Sequence, residues 1–254
     1  MKLIIDGDHL TYRSAASCQP TKVKPFQEPL EEAIWRFESM FAQIQLDLNS
    51  NDFEFYISGE GNWRNAIFPE YKANRKDMPR PIWLEDVREH AVLKHKAEIV
   101  NGKEVDDMCG IRLTQEGLDA ICASLDKDLL TVPGYHYNFV KKTRILVSPF
   151  DALRNFYKQV ITGDGSDGVP AFDGKMRSAT PQFVAKLLEP IDEMTEEIEM
   201  WDYVCDTFDN AYSNELGMPY EKAVRNAQVL WIMKEEGKYW QEPNGQTHAD
   251  TALL

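Results

Sequence analysis

No apolar run in the 254 residues approaches the ~20 needed to span a bilayer as a helix, so a membrane-spanning role by that route is not expected. The first residues, Met1 to Asp6, are too short and too soon charged to read as a signal peptide. Only four cysteines occur (Cys18, Cys109, Cys122 and Cys205), with no CxxC pair and no Cys/His zinc spacing. Cys109 and Cys122 lie in or beside apolar patterns and read as small buried hydrophobes, which suits a reducing cytoplasm. There is no internal repeat and no low-complexity tract. Basic charge is also in short supply: 28 Lys and Arg stand against 42 Asp and Glu, a net charge of −14. That total argues against broad, sequence-blind binding of polyanions.

Hydrophobic content is 43% and aromatic content 11%, enough for a globular chain that needs no disulfide staples. Short apolar runs alternate with helical patterns. Leu3 to Ile5 reads as a buried strand. Leu30, Ile34, Phe37, Phe41, Ile44 and Leu48 fall on one helical face. Phe53 to Ile57 reads as a second strand, 82–96 as a helix, 97–100 as a short third strand, 104–117 as a helix, 120–125 as a fourth strand and 144–147 as a fifth. After about residue 150 only helical patterns follow, at 151–161, 181–188, 193–212 and 219–236, and 241–254 reads as a loose polar tail. The expected fold class is therefore α/β, with a mostly parallel central sheet covered by helices on both faces and a helical C-terminal part.

Charge is distributed unevenly. Residues 189–210 carry nine acids and no Lys or Arg, which reads as a solvated face or a docking surface. Residues 62–80 carry five bases against two acids. Eight further carboxylates fall in four short motifs: Asp6; Glu104, Asp106 and Asp107; Asp126 and Asp128; Asp164 and Asp167. With those eight set aside, the 28 bases face 34 acids and the balance is −6.

Asp6 follows an apolar run, and so does Asp126. Each is expected at the carboxyl end of a strand, the edge where parallel α/β sheets bind ligands. Asp126 and Asp128 alternate and can face one cation. Glu104 and Asp107, three apart at a helix start, share a face, although acids in a first turn are also favoured by the helix dipole. Asp164 and Asp167 lie in the glycine-rich stretch Gly163 to Gly168, where an oxygen-rich loop suits Mg²⁺ and a plain Asp-Gly turn is the bland alternative. Tyr71-Lys72-Ala73-Asn74-Arg75-Lys76 joins a ring able to stack on a base to three cations. Acids for divalent ions beside bases for a polyanion point to phosphodiester chemistry.

In order and spacing these motifs resemble the 5′-nuclease (flap endonuclease) superfamily, and in length and wording its short phage-encoded 5′→3′ exonucleases. The resemblance runs from about residue 3 to about 176. It is carried by Ile5-Asp6-Gly7-Asp8, Asn62-Trp63-Arg64, Tyr71 to Lys76, Glu104-Val105-Asp106-Asp107, Asp126-Lys127-Asp128 and Gly163 to Gly168. It implies a metal-dependent 5′-nuclease core over 1–162 with an arch at about 60–96. A helical part over 163–254 would open with a helix–two-turn–helix-like, duplex-gripping element. It also implies that all eight acids hold two Mg²⁺ (or Mn²⁺), roughly 4 Å apart across the scissile phosphate. Asp6, Asp126, Lys72 and Arg75 would be catalytic, and Tyr71, Arg64, Lys76 and Lys175 would contact the substrate. The substrate would be duplex DNA with a 5′ end or flap, or an RNA–DNA hybrid, and replication proteins are the partners such an enzyme would meet. Two departures from the family wording stand out. Gly59 or Glu60 takes the place of an Asp after the second strand. The two-turn element reads Gly168-Val169-Pro170-Ala171-Phe172-Asp173-Gly174, which leaves the family's K⁺ ion open.

Three other readings compete. A small PIN-type ribonuclease shares the acidic core, but the chain is long for one and the Tyr71 segment is left unexplained. A haloacid-dehalogenase-type phosphatase would use Asp6-Gly7-Asp8 and Ser58, but Leu10 stands where that family has Thr or Val, and the Gly163 loop follows a helical pattern rather than a strand. A non-catalytic DNA-binding member of the nuclease fold would keep the scaffold without the metals, and the near-complete acid set argues against it.

Overall fold

A computed structural model describes residues 1–175, 180–212 and 219–243; residues 244–254 of the expected polar tail lie outside them. Six strands form one sheet in the order β3-β2-β1-β4-β5-β6. They are β1 (Lys2–Asp6), β2 (Phe53–Ser58), β3 (Glu98–Val100), β4 (Ala120–Ala123), β5 (Gly134–Asn138) and β6 (Thr143–Val147). The first five run parallel, and β6 returns antiparallel at one edge. The chain winds outward from β1 in both directions, so β1 and β4 flank the point where strand order reverses.

Packing divides the chain into two compact units. The first comprises 1–63, 77–152 and 232–237; the second comprises 64–76, the described parts of 153–231, and 238–243. Residues 64–76, read from the sequence as part of an arch in the first domain, belong to the second unit.

In the first unit, alternation along β1 feeds two cores. Leu3 and Ile5 join Phe55, Ile57, Ile121 and Ala123 on one face, against α1 (Gly7–Ser17), α2 (Leu30–Leu48) and α4 (Leu84–His95). Ile4 joins Tyr56, Ala120 and Cys122 on the other face, against Val105, Cys109 and Leu113 of α5 (Val105–Glu116). A strand buried on both faces must be apolar throughout, which is why β1 reads as an uninterrupted run. The α2 stripe buries Ala33, Phe37, Phe41 and Ile44. Fully burying a side chain such as Phe37 contributes about 1.5–3 kcal/mol.

Several elements differ from expectation: the helix expected over 219–236 ends at Leu230, and a short helix at Arg64–Ile67 was not expected. β5 was not expected, because Gly-Tyr-His-Tyr-Asn has no aliphatic run; Tyr135 and Tyr137 supply its apolar alternation. α1 was not expected either. It buries Gly7, Leu10, Thr11, Ser14 and Ala15, so its inner face is small and partly polar. The Thr11 and Ser14 hydroxyls donate back to the Gly7 and Leu10 carbonyls, both at 2.7 Å, which makes their burial tolerable.

The second unit is helical, with α3 (Arg64–Ile67), α7 (Pro181–Glu193), α8 (Glu197–Ala211), α9 (Pro219–Leu230) and most of α6 (Pro149–Thr162). Its core gathers Tyr71, Phe156, Tyr157, Val160, Trp201 and Phe208. Asn226, fully buried, donates to the Val160 and Pro170 carbonyls. The four thiols are free. No helix among the described residues is long and apolar enough to cross a membrane.

Candidate active site

Asp6 ends β1 and caps α1, accepting from the His9 amide at 3.4 Å. It is 1% exposed. In the β1–β4 register Ile5 lies opposite Ala123, so the next residues, Asp6 and Ser124, come together, and the Ser124 hydroxyl donates to Asp6 Oδ2. Ser124 also accepts from the Asp126 amide at 2.9 Å, and Asp126 Oδ1 accepts from the Asp128 amide at 2.8 Å. A chain of hydrogen bonds thus places Asp6, Asp126 and Asp128 at the reversal point of the sheet, the usual place for a ligand in such a topology.

His9 completes this group. Its Nδ1 lies 2.6 Å from Asp6 Oδ2. Burial disfavours the imidazolium, but the hydrogen bond to Asp6 and the charges of Asp6, Asp126 and Asp8 outweigh it and raise its pKa to about 9. Burial likewise opposes ionisation of Asp6, and His9 and Ser124 outweigh it, holding that carboxyl below its usual range. The local wiring of α1 explains the geometry. The Asp6 side chain caps the helix start while His9, three residues on, turns back to it. Gly7 permits the approach to β2, since a Cβ there would sit 2.4 Å from the Tyr56 carbonyl oxygen and 2.3 Å from the Phe55 ring.

The α5 acids form a capping box: Glu104 accepts from the third helical amide, and Asp107 Oδ2 accepts from the Glu104 amide at 3.1 Å. Asn62 Nδ2 donates to Glu104 Oε1 at 2.9 Å, and Trp63 Nε1 to Asp107 Oδ2 at 3.2 Å. The Met233 amide donates to Asp107 Oδ1 at 3.1 Å. Asp107 is fully buried, whereas Asp106 is half-buried in the same turn. The Asn62-Trp63 pair therefore has a physical job, bracing the acids of α5.

In the second unit the structure joins two motifs that lie about ninety residues apart. Tyr71 OH donates to Asp167 Oδ2 at 2.7 Å; Lys72 Nζ lies 3.5 Å from the same oxygen, and Arg75 pairs with Oδ1. Lys72 N donates to the Asp167 carbonyl at 2.8 Å, Arg75 Nε to the Ser166 carbonyl at 2.9 Å, and Asn74 Nδ2 to those of Gly165 and Ser166. Asp164, 8% exposed, accepts from the Ser166 amide at 2.7 Å. Gly163 has φ +63°, and a Cβ there would lie 2.5 Å from the Val169 and Pro170 carbonyl oxygens, so the loop needs glycine at that point.

The remaining expected residues fall as follows. Arg64 is 2% exposed and donates to the Val229 carbonyl at 2.8 Å and the Trp231 carbonyl at 2.6 Å. The Tyr71 ring is 6% exposed and lies 5.1 Å beneath Lys72 Nζ. Lys76 and Lys175 are exposed. Glu60 is exposed, its amide donating to Asn101 Oδ1 at 2.8 Å.

Sequence reasoning gave no role to His9 or Ser124, and named Asp8 only within the Ile5-Asp6-Gly7-Asp8 motif and the phosphatase reading. Asp8 accepts from the Ser58 amide at 3.0 Å and from the Ser58 hydroxyl, and Arg88 Nη1 lies 3.2 Å away. Burial raises its pKa, with Ser58 pulling the other way. The only sequence signal for His9 was its position three residues after a capping Asp.

The donor set at this edge is carboxylate oxygen, the chemistry that hard divalent cations take. Asp6, Asp126 and Asp128 supply such oxygens at one sheet edge, so these residues fit divalent metal ions.

The family model for the 5′-3′ exonuclease N-terminal resolvase-like domain matches residues 1–164. The chain belongs to this family of nucleases. It is 27% identical over 217 residues to a 5′-3′ exonuclease of Buchnera aphidicola from Schizaphis graminum, spanning 78% of this chain and 74% of that one. It is 28% identical over 131 residues to the flap endonuclease Xni of Shewanella baltica; there the match spans 49% of this chain and 48% of the relative, about half its length. In fold it is similar to the 5′-exonuclease of T5 with divalent zinc ions bound (TM-score 0.64, 17% identity, 91% of this chain and 89% of that one). It is also similar to a T5 flap endonuclease in a pseudo-enzyme–product complex with DNA and metal ions (TM-score 0.62, 17% identity, 90% and 88%).

Proposed function

We infer that this nuclease hydrolyses phosphodiester bonds of DNA at a 5′ end or flap, with Mg²⁺ or Mn²⁺ as cofactor. The observation that carries this reading is the buried, ionised Asp6 tied through Ser124 to Asp126 at the reversal point of a parallel sheet. Asp6, Glu104, Asp106, Asp126 and Asp128 would hold the ions in the first unit. When bound, such ions lower the pKa of an attacking water and offset charge on the phosphate.

The chain's own residues do the rest. His9 keeps a proton against Asp6 Oδ2 and so holds that carboxylate in one orientation. Asp107, its oxygens taken up by three N–H donors, positions the α5 turn. Asp167, braced by Tyr71, sets the direction of the Lys72 and Arg75 cations, which offset charge developing on phosphoryl oxygens. We assign Tyr71 to that bracing and not to base stacking, because its ring is buried. Arg64 belongs to the packing of the second unit by the same logic. Exposed Lys76 and Lys175 are left to contact the phosphate backbone, with the strong salt dependence that entails.

The test is to give the protein 5′-labelled duplex, flap and RNA-primed substrates with Mg²⁺ and with chelator. Short labelled products that appear only with metal support the reading. Absence of Mg²⁺-dependent cleavage beside intact DNA binding would favour the non-catalytic alternative.

A further inference from the structure

A second constellation lies in the first unit and shares no residue with the nuclease site. Glu38 of α2 faces His90 and His95 of α4. His90 Nε2 lies 2.6 Å and His95 Nε2 2.7 Å from the same oxygen, Glu38 Oε1. The three ligand atoms fall within 4.8 Å of one another. Lys94 Nζ holds the other carboxylate oxygen at 3.1 Å. The imidazoles are fixed by aromatic neighbours: His95 packs against Phe41 at 4.7 Å and Phe37 at 5.7 Å between ring centroids, and His90 lies edge-on to Phe37 at 6.0 Å. The side chains of Glu38, His90 and His95 are 27%, 22% and 13% exposed. The group is therefore sheltered yet reachable from solvent.

We propose that Glu38, His90 and His95 form a binding site for a divalent transition ion, Zn²⁺ foremost, that staples α2 to α4. Two imidazole nitrogens and one carboxylate oxygen, with solvent access for a water, are the donor set of a tetrahedral zinc site with an open fourth position. Bonds of about 2.0–2.1 Å place tetrahedral ligand atoms about 3.3 Å apart. Glu38 Oε1 must therefore retract by about 0.6 Å from both nitrogens, and the two nitrogens, within 4.8 Å of each other, must sit about 3.3 Å apart. A proton carried on Nε2 of either imidazole would pass to Nδ1 as the ion takes that nitrogen, so the ion replaces the two hydrogen bonds to Glu38. Lys94 keeps its contact with Oε2 and orients the carboxylate from outside, as outer partners of metal ligands do. Its positive charge opposes the ion and the Glu38 anion offsets it. Nitrogen donors discriminate against Mg²⁺, which separates this site from the all-oxygen set around Asp6.

The experiment titrates Zn²⁺, and separately Co²⁺, into the full chain in excess Mg²⁺, which occupies oxygen-ligand sites. The expected result is one tight equivalent, an intense tetrahedral Co²⁺ visible spectrum and a higher Tm with Zn²⁺. Asp126→Asn should retain all three. Glu38→Gln, His90→Gln and His95→Gln should each weaken the equivalent by more than the about 10–100-fold that loss of an outer-shell partner costs. Circular dichroism would confirm that these variants fold, and the wild-type titration stands alone if one does not. Absence of a tight equivalent in the wild type, or its persistence in all three folded variants, would overturn the proposal.

Discussion

Asp107→Ala separates a bracing role from a metal-ligand role in the α5 motif. The carboxylate is fully buried and accepts from three N–H groups: Met233 at 3.1 Å, Trp63 at 3.2 Å and Glu104 at 3.1 Å. Stranding a buried donor costs about 1–3 kcal/mol, so three would cost up to about 9 if nothing relaxed, and the part-buried Trp63 and Glu104 donors fall at the low end of that range. Water entering the space of the lost carboxylate recovers part of this. Relief of repulsion from the neighbouring acids recovers about 1 kcal/mol more, the scale of a like-charge contact in high dielectric. The net expectation is a loss of about 3–5 kcal/mol, read as a lower urea midpoint at unchanged slope in excess chelator. Asp107→Asn, which keeps one acceptor oxygen, should lose less. A pure metal ligand behaves in the opposite way, because its removal leaves the metal-free protein unharmed or stabilised. An Asp107→Ala protein as stable as wild type in chelator would refute the bracing argument.

Arg64→Leu should cost about 2–4 kcal/mol by chemical denaturation, since it strips two buried carbonyls of a charged donor, and DNA affinity of the folded fraction should hold. Glu54 lies in an ionic network: Arg112 pulls its carboxyl down to about 2, against burial, with help from Tyr56 and Lys2. A depressed carboxyl stabilises the fold above its unfolded value of about 4.5 and loses that contribution as pH falls through about 2. Glu54→Gln should accordingly cost about 1–2 kcal/mol at neutral pH by thermal unfolding, and the gap to wild type should close between about pH 4.5 and 2.

Long-period and uninterrupted apolar signals made most of the fold legible. The α2 stripe and the β1 run are visible because both must bury bulky aliphatic or aromatic groups. α1 and β5 were not, since one hides small hydroxylated residues against the sheet and the other alternates Tyr with His. The strand-end positions of Asp6 and Asp126 were legible because a carboxylate straight after a buried strand has few places to go. The pairing of Tyr71, Lys72 and Arg75 with Asp167 was not, because a contact across about ninety residues leaves no periodic trace in a single chain. The cluster of Glu38, His90 and His95 was silent for the same reason: Glu38 reads as a polar position on α2, and two histidines five apart on α4 share no simple helical face. Arg64 shows the converse case. A base in a basic segment looks like a contact for a polyanion until its burial against carbonyls is seen.

The central claim is that carboxylates gathered where β1 meets β4 run a metal-dependent hydrolysis of the phosphodiester backbone. Asp126→Asn tests it most directly, by removing one negative charge at a half-buried position held by the Ser124 hydroxyl. On 5′-labelled duplex with Mg²⁺, the variant should bind nearly as wild type does and release no labelled product. Cleavage at the wild-type rate would contradict the account.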